Sequence, residues 1–88
     1  MKKLDTLKFS DFTEQEFTDF VTKIRKADYR TESQHDDAIY HFARITEHPD
    51  GWDLIYHPEP GADHSTSGII ATIRQWRAEN GKTDFRSE

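Results

Sequence analysis

Cysteine is absent from the chain, so neither a disulfide nor a thiolate metal site can hold the fold together. No apolar run approaches the roughly 18–20 residues that cross a bilayer. The opening Met1-Lys2-Lys3-Leu4 carries charge with no apolar stretch behind it, which is not the pattern of a secretory signal. Synthesis in a reducing cytoplasm fits both observations. The few glycines are scattered, so no loop cradles phosphate, and no serine stands in a nucleophile elbow. The basic residues are dispersed as well, and they assemble no face for nucleic acid.

What is present fits one domain, residues 1–88, around one small core. Hydrophobic and charged residues each make up 33% of the chain, a polar balance, but the 12% of aromatics supply large buriable surfaces. The net charge of -5 is unevenly placed. From Asp28 to Asp63 nine acids meet two bases, so this middle part carries -7 and the remainder +2. Such an acidic centre repels nucleic acid and attracts basic partners, unless it is simply a solvated face.

Within that acidic centre lies Thr46-Glu47-His48-Pro49-Asp50-Gly51-Trp52-Asp53-Leu54-Ile55-Tyr56-His57-Pro58. The two prolines disfavour helical geometry at His48 and His57. Asp50-Gly51 signals a turn. Trp52 to His57 is too short for an ordinary helix and lacks the alternation of a half-buried strand. It reads as one tight helical turn or a short extended piece. Leu54 and Ile55 are expected to pack inward, but one short turn cannot point Trp52 and Tyr56 inward as well.

Three longer elements frame it. Thr13 and Glu16 form a capping box, with Phe12 and Phe17 as the hydrophobic staple. Phe17, Phe20, Val21 and Ile24 then make an apolar helical stripe that ends near Ala27. Thr31 with Gln34 offers a second capping box, followed by Ala38, Ile39, Phe42 and Ile45. His35, Asp36, Asp37 and Tyr40 fall on its exposed side. Tyr40 there is either a partly buried residue or a binding aromatic. Ser65 or Thr66 caps the last helix, with Ile69, Ile70, Ile73 and Trp76 as its stripe, and Gly81 stops it. Residues 1–9 and 83–88 read as loose ends. The sum is an all-α bundle with antiparallel neighbours. Its predicted core is Phe12, Phe17, Phe20, Val21, Ile24, Ile39, Phe42, Ile45, Leu54, Ile69, Ile73 and Trp76.

Five histidines raise a metal site, but His35, His41 and His48 lie six and seven apart, not at the i, i+4 spacing that puts two ligands on one helical face. Asp36 and Asp37 are adjacent on a helix, point about 100 degrees apart and cannot share acid–base work. No metal, cofactor or enzymatic activity is therefore expected. Tyrosine and tryptophan rimmed by charge suit a protein interface, so a basic protein surface is the expected partner. An acidic adaptor or a small metal carrier is the alternative.

The chain also resembles a known family, the immunity proteins of nuclease-type colicins and pyocins. The resemblance runs through Ser10-Asp11-Phe12-Thr13-Glu14-Gln15-Glu16-Phe17, His41-Phe42, Ile45-Thr46-Glu47-His48-Pro49-Asp50-Gly51 and Asp53-Leu54-Ile55-Tyr56. It resumes at Ser67-Gly68-Ile69 and at Gln75-Trp76-Arg77-Ala78-Glu79-Asn80-Gly81-Lys82. It implies a distorted antiparallel four-helix bundle whose third helix is one short turn. It implies tight binding to the nuclease domain of a cognate bacteriocin, with an HNH DNase expected, beside the active site so that DNA is excluded. Colicin DNase–immunity pairs are among the tightest complexes known.

By position, the resemblance makes Asp53, Tyr56 and His57 the shared anchor, His57 standing where relatives usually have a second tyrosine. An imidazole there introduces a route to pH-dependent binding. Specificity is carried over to Glu32, His35, Asp36 and Tyr40. Relatives often have aliphatic groups at positions 35 and 36, which points to a partner with a distinct, basic patch. Trp52 stands where a small polar residue is common, as an added contact or a local packing change. The resemblance further implies a monomer when free, cytoplasmic until released with the toxin, with no nucleic-acid or membrane partner.

Overall fold

The computed structural model describes residues 7–57, 61 and 63–87, and among these it is all helical. A 3-10 turn at Phe9–Asp11 leads into α1 (Glu14–Arg25), followed by α2 (Glu32–Thr46), α3 (Asp53–Tyr56) and α4 (Thr66–Glu79). α1 packs against both α2 and α4. This is a helical bundle with one element reduced to a single turn.

The helix ends are where local chemistry places them. The Thr13 hydroxyl accepts from the Glu16 backbone N–H at 3.1 Å, and the Glu16 carboxylate accepts from the Thr13 N–H at 2.9 Å. Both donors would otherwise be orphaned at the helix start. The Phe12 and Phe17 rings meet edge to face at 5.4 Å, closing the staple. Thr31 caps α2 by accepting from the Gln34 N–H at 3.1 Å. Gln34 does not return the bond to Thr31; its side chain accepts from the Arg30 N–H at 3.3 Å instead. Ser65 caps α4 by accepting from the Gly68 N–H at 3.1 Å. α1 ends at Arg25, and Ala27 follows in the left-handed region at φ 52°. Gly81 occupies the same region beyond α4, at φ 68°, where a glycine is unstrained.

Phe17, Val21, Ile24, Phe42, Ile45, Ile69 and Ile73 are buried as expected, with Phe12 beside them. Phe20, Ile39 and Leu54 are partly buried and pack against this core. Trp76 is not a core residue. It lies half-buried with its ring 4.9 Å from that of His48.

Two corrections concern the chain ends. Residues 1–6 and 88 lie outside the described residues, but the loose ends expected at 7–9 and 83–87 are packed. Phe9 is 1% exposed, and its ring stacks on Phe85 at 4.3 Å. The Arg86 backbone N–H donates to the Phe12 carbonyl at 2.8 Å, and its guanidinium donates to Glu16 at 3.0 Å. Neither end has a helical period because each contributes only one or two apolar side chains, Leu7 and Phe9 at one and Phe85 at the other, rather than a stripe.

A buried arginine joins these ends to the bundle. Arg77 is 3% exposed. Its guanidinium donates to the Thr46 carbonyl at 3.0 Å, the Glu47 carboxylate at 3.2 Å, the Thr83 carbonyl at 2.9 Å and the Thr83 hydroxyl at 3.1 Å. It also lies over the Phe9 ring at 4.3 Å. The Thr46 carbonyl is one of the unpaired acceptors at the end of α2, so Arg77 satisfies a group the helix cannot.

Carboxylates paired in the folded state contribute to the acid limit of stability. Hydrogen bonding from Arg77, then Lys82, holds the Glu47 carboxyl below its ordinary 4.5. The Arg74 guanidinium does the same for Asp84, whose ordinary value is 3.8. A carboxyl depressed in the folded state stabilises the fold fully above its unfolded pKa, and this contribution is lost as pH falls through the folded value. Stability to urea is therefore expected to be flat from pH 7 to about 5 and to fall below about 4.5. Glu47→Gln is expected to lower the midpoint at pH 7 and to shrink that fall. Parallel pH profiles for the two proteins would count against the assignment.

Candidate partner-binding site

α3 forms because the chain turns tightly after α2. The Gly51 N–H donates to the His48 carbonyl at 3.0 Å, and the Asp53 N–H to the Asp50 carbonyl at 2.9 Å. Gly51 has φ +50°, and a Cβ there would lie 3.2 Å from that of Ala43. The turn thus rests close against α2. The Tyr56 N–H then donates to the Trp52 carbonyl at 3.1 Å, and the His57 N–H to the Asp53 carbonyl at 2.8 Å, completing one helical turn. Leu54 and Ile55 face the core, which leaves the other side of the turn outward. Pro49 is exposed in the turn; Pro58 lies outside the described residues.

The outward side of α3 and the middle of α2 enclose an open groove. His35, Asp36, Ile39, Tyr40, Trp52 and Tyr56 line it. The three exposed large hydrophobics of the described residues are all there: Tyr40 (58%), Trp52 (48%) and Tyr56 (43%). Partial burial raises the Tyr56 phenol above its ordinary 10.0, and the Asp36 carboxylate raises it further. Burial, then Asp28, then Tyr56 do the same for Tyr29, which packs beside His35 with ring centres 5.5 Å apart.

Four of the seven residues singled out in the sequence, His35, Asp36, Tyr40 and Tyr56, thus share one groove. Asp53 and His57 do not line it. They pair with each other on exposed α3, the His57 Nδ1 lying 3.0 Å from an Asp53 oxygen. Glu32 is exposed in the first turn of α2, away from the groove lining. His35 departs from the exposed position expected of it. It is half-buried, and its Nε2–H donates to the Ile24 carbonyl at 3.0 Å, which ties α2 to the end of α1. Ile39, assigned to the core by its stripe, is also part of the groove floor. The role of Tyr29 was not readable, because nothing local places a connector tyrosine against a histidine six residues on.

Chemically, the groove offers stacking faces, a carboxylate and phenol hydroxyls. Among the described residues no three histidine, aspartate or glutamate side chains converge to hold a metal ion. None of the described helices is long and apolar enough to cross a membrane.

Comparison with known proteins gives this surface a context. The family profile described as colicin immunity protein / pyocin immunity protein matches residues 9–79. The pyocin-S1 and pyocin-S2 immunity proteins of Pseudomonas aeruginosa are each 37% identical over 83 residues, covering 91% of this chain and 95% of theirs. A chain in the crystal structure of the mutant nuclease domain of pyocin S8 with its cognate immunity protein superposes with a TM-score of 0.83 at 32% identity, covering 91% of this chain and 98% of that one. A chain in the pyocin AP41 DNase–immunity complex gives 0.80 at 31%, covering 92% and 98%. By sequence and by fold alike, this chain belongs to the colicin/pyocin immunity protein family.

Proposed function

We propose that this protein neutralises a nuclease bacteriocin by binding the nuclease domain of its cognate toxin. The carrying observation is the exposed aromatic groove beside acidic side chains, in a chain whose relatives are pyocin immunity proteins. A nuclease that grips DNA carries a cationic surface, because phosphate binding requires one. Asp36, Asp37 and Asp53 are exposed and present the complementary charge. On this reading the chain sits beside the active site of an HNH-type DNase and excludes DNA by overlap and by charge. Asp53, Tyr56 and His57 anchor the complex, and Glu32, His35, Asp36 and Tyr40 select the partner. The protein performs no catalysis and needs no cofactor. It acts as a monomer in the cytoplasm of the toxin-producing cell and leaves bound to the toxin.

The test uses the nuclease domain of the cognate toxin. An equimolar amount of the chain is expected to abolish plasmid cleavage by that domain. Full cleavage in the presence of excess chain would refute the reading. Replacing Asp36 and Asp37 together by lysine is expected to slow association about tenfold or more at low salt, because acidic charge steers encounter with a cationic partner. Stopped-flow rates at several salt concentrations check this; a wild-type association rate indifferent to salt would contradict it.

A further inference from the structure

The groove also carries information about what enters it. Four aromatic rings elsewhere lie beneath the chain's own cations. Arg77 lies over Phe9 at 4.3 Å, Arg74 over Phe85 at 5.5 Å, Lys23 over Tyr29 at 4.8 Å and Lys82 over Trp76 at 5.9 Å. Tyr40, Trp52 and Tyr56 are instead the most exposed large rings described, and they share their groove with the Asp36 carboxylate. His35, the one basic side chain lining it, is committed to the Ile24 carbonyl.

We propose that the groove receives one arginine side chain of the bound nuclease, its guanidinium lying against the faces of Tyr40 and Trp52 and donating to the Asp36 carboxylate. This rests on the nuclease-binding function proposed above and adds the identity of the group recognised. Three features select that occupant. The exposed rings offer π-faces, which attract a cation, and a planar guanidinium stacks on them where an ammonium acts as a point charge. Asp36 would be buried unpaired beneath an aromatic or aliphatic side chain, at a cost that disfavours an apolar occupant. A guanidinium engages a carboxylate through two parallel N–H donors and is weakly hydrated, so it tolerates removal from water. Tyr40 and Trp52 are then specificity residues: they accept a partner that offers arginine here and reject one that offers a phenylalanine or a glutamate.

The experiment is a double-mutant cycle with the nuclease domain of the cognate toxin. Trp52→Leu and Asp36→Asn are each expected to weaken binding about tenfold, the range of a desolvated cation–π contact and a charged hydrogen bond. Each nuclease-surface arginine is also replaced by lysine in turn. One of these replacements is expected to weaken binding to wild-type chain and to have a clearly smaller effect on Asp36→Asn, which has already lost the carboxylate. Tighter binding by Asp36→Asn, or a Trp52→Leu loss coupled to no arginine, would overturn the proposal and indicate an apolar occupant. Unchanged affinity of Trp52→Leu would also overturn it. Failure of the wild-type chain to bind at all would strike the proposed function instead, so the two failures are distinguishable. Melting temperatures near wild type are expected for both variants, because both side chains are exposed.

Discussion

Tyr56→Ala is expected to weaken binding to the cognate nuclease domain by about 2 kcal/mol or more, roughly 30-fold, while leaving the free protein folded. The ring stands on α3 with 43% of its surface exposed, so truncation leaves no large cavity in the core. Leu54 and Ile55 hold the turn from the other side, and its backbone bonds do not involve the phenol. An aromatic anchor that is half-supported in the free protein loses little conformational freedom when a partner covers it, which is what makes tyrosine effective in interfaces. Tyr56→Phe separates the ring from the hydroxyl and is expected to retain most of the affinity if ring packing dominates. Calorimetry or surface-binding kinetics would measure both variants. A dissociation constant for Tyr56→Ala within a factor of a few of wild type would remove Tyr56 from the anchor.

Arg77→Ala is expected to act on the other property, stability, lowering it by about 3 kcal/mol and the melting temperature by roughly 15 °C. Four hydrogen bonds end with that substitution, and the Thr46 carbonyl is left without its donor. The Glu47 carboxylate keeps Lys82 at 3.3 Å but loses its buried partner. Phe9 loses the cation that covers its ring. Arg77→Lys is expected to recover only part of the loss, because one ammonium cannot reach Thr46, Glu47 and Thr83 with the spread of a guanidinium. Thermal melts followed by circular dichroism provide the measurement. A melting temperature for Arg77→Ala within about 3 °C of wild type would mean the chain ends dock without it.

What could be read from residues in order was whatever depends on near neighbours. Thr13 with Glu16, Thr31, Ser65 and Gly81 mark helix ends through bonds spanning a few residues, and the stripes from Phe17 and Ile69 follow helical spacing. The single turn after Gly51 was open between helix and extended chain on local grounds, and the structure makes it helical. The residue pattern marked Tyr56 as an outward aromatic and Asp36 and Tyr40 as exposed positions; their assignment to a partner site came from the family resemblance.

Where two distant segments meet, composition and period carry no signal. Phe9 and Phe85 stood in segments read as loose ends and Arg77 in the last turn of α4, yet they interlock across most of the chain's length. By itself the sequence determined the three long helices, where they start, and that the middle of the chain is acidic, since these follow from hydrogen bonds and spacing within a few residues. Only the tertiary structure decided that α3 lies against α2, so that Trp52 and Tyr56 share a groove with Asp36 and Tyr40, because that contact depends on a close approach of Gly51 to Ala43 that no local pattern encodes.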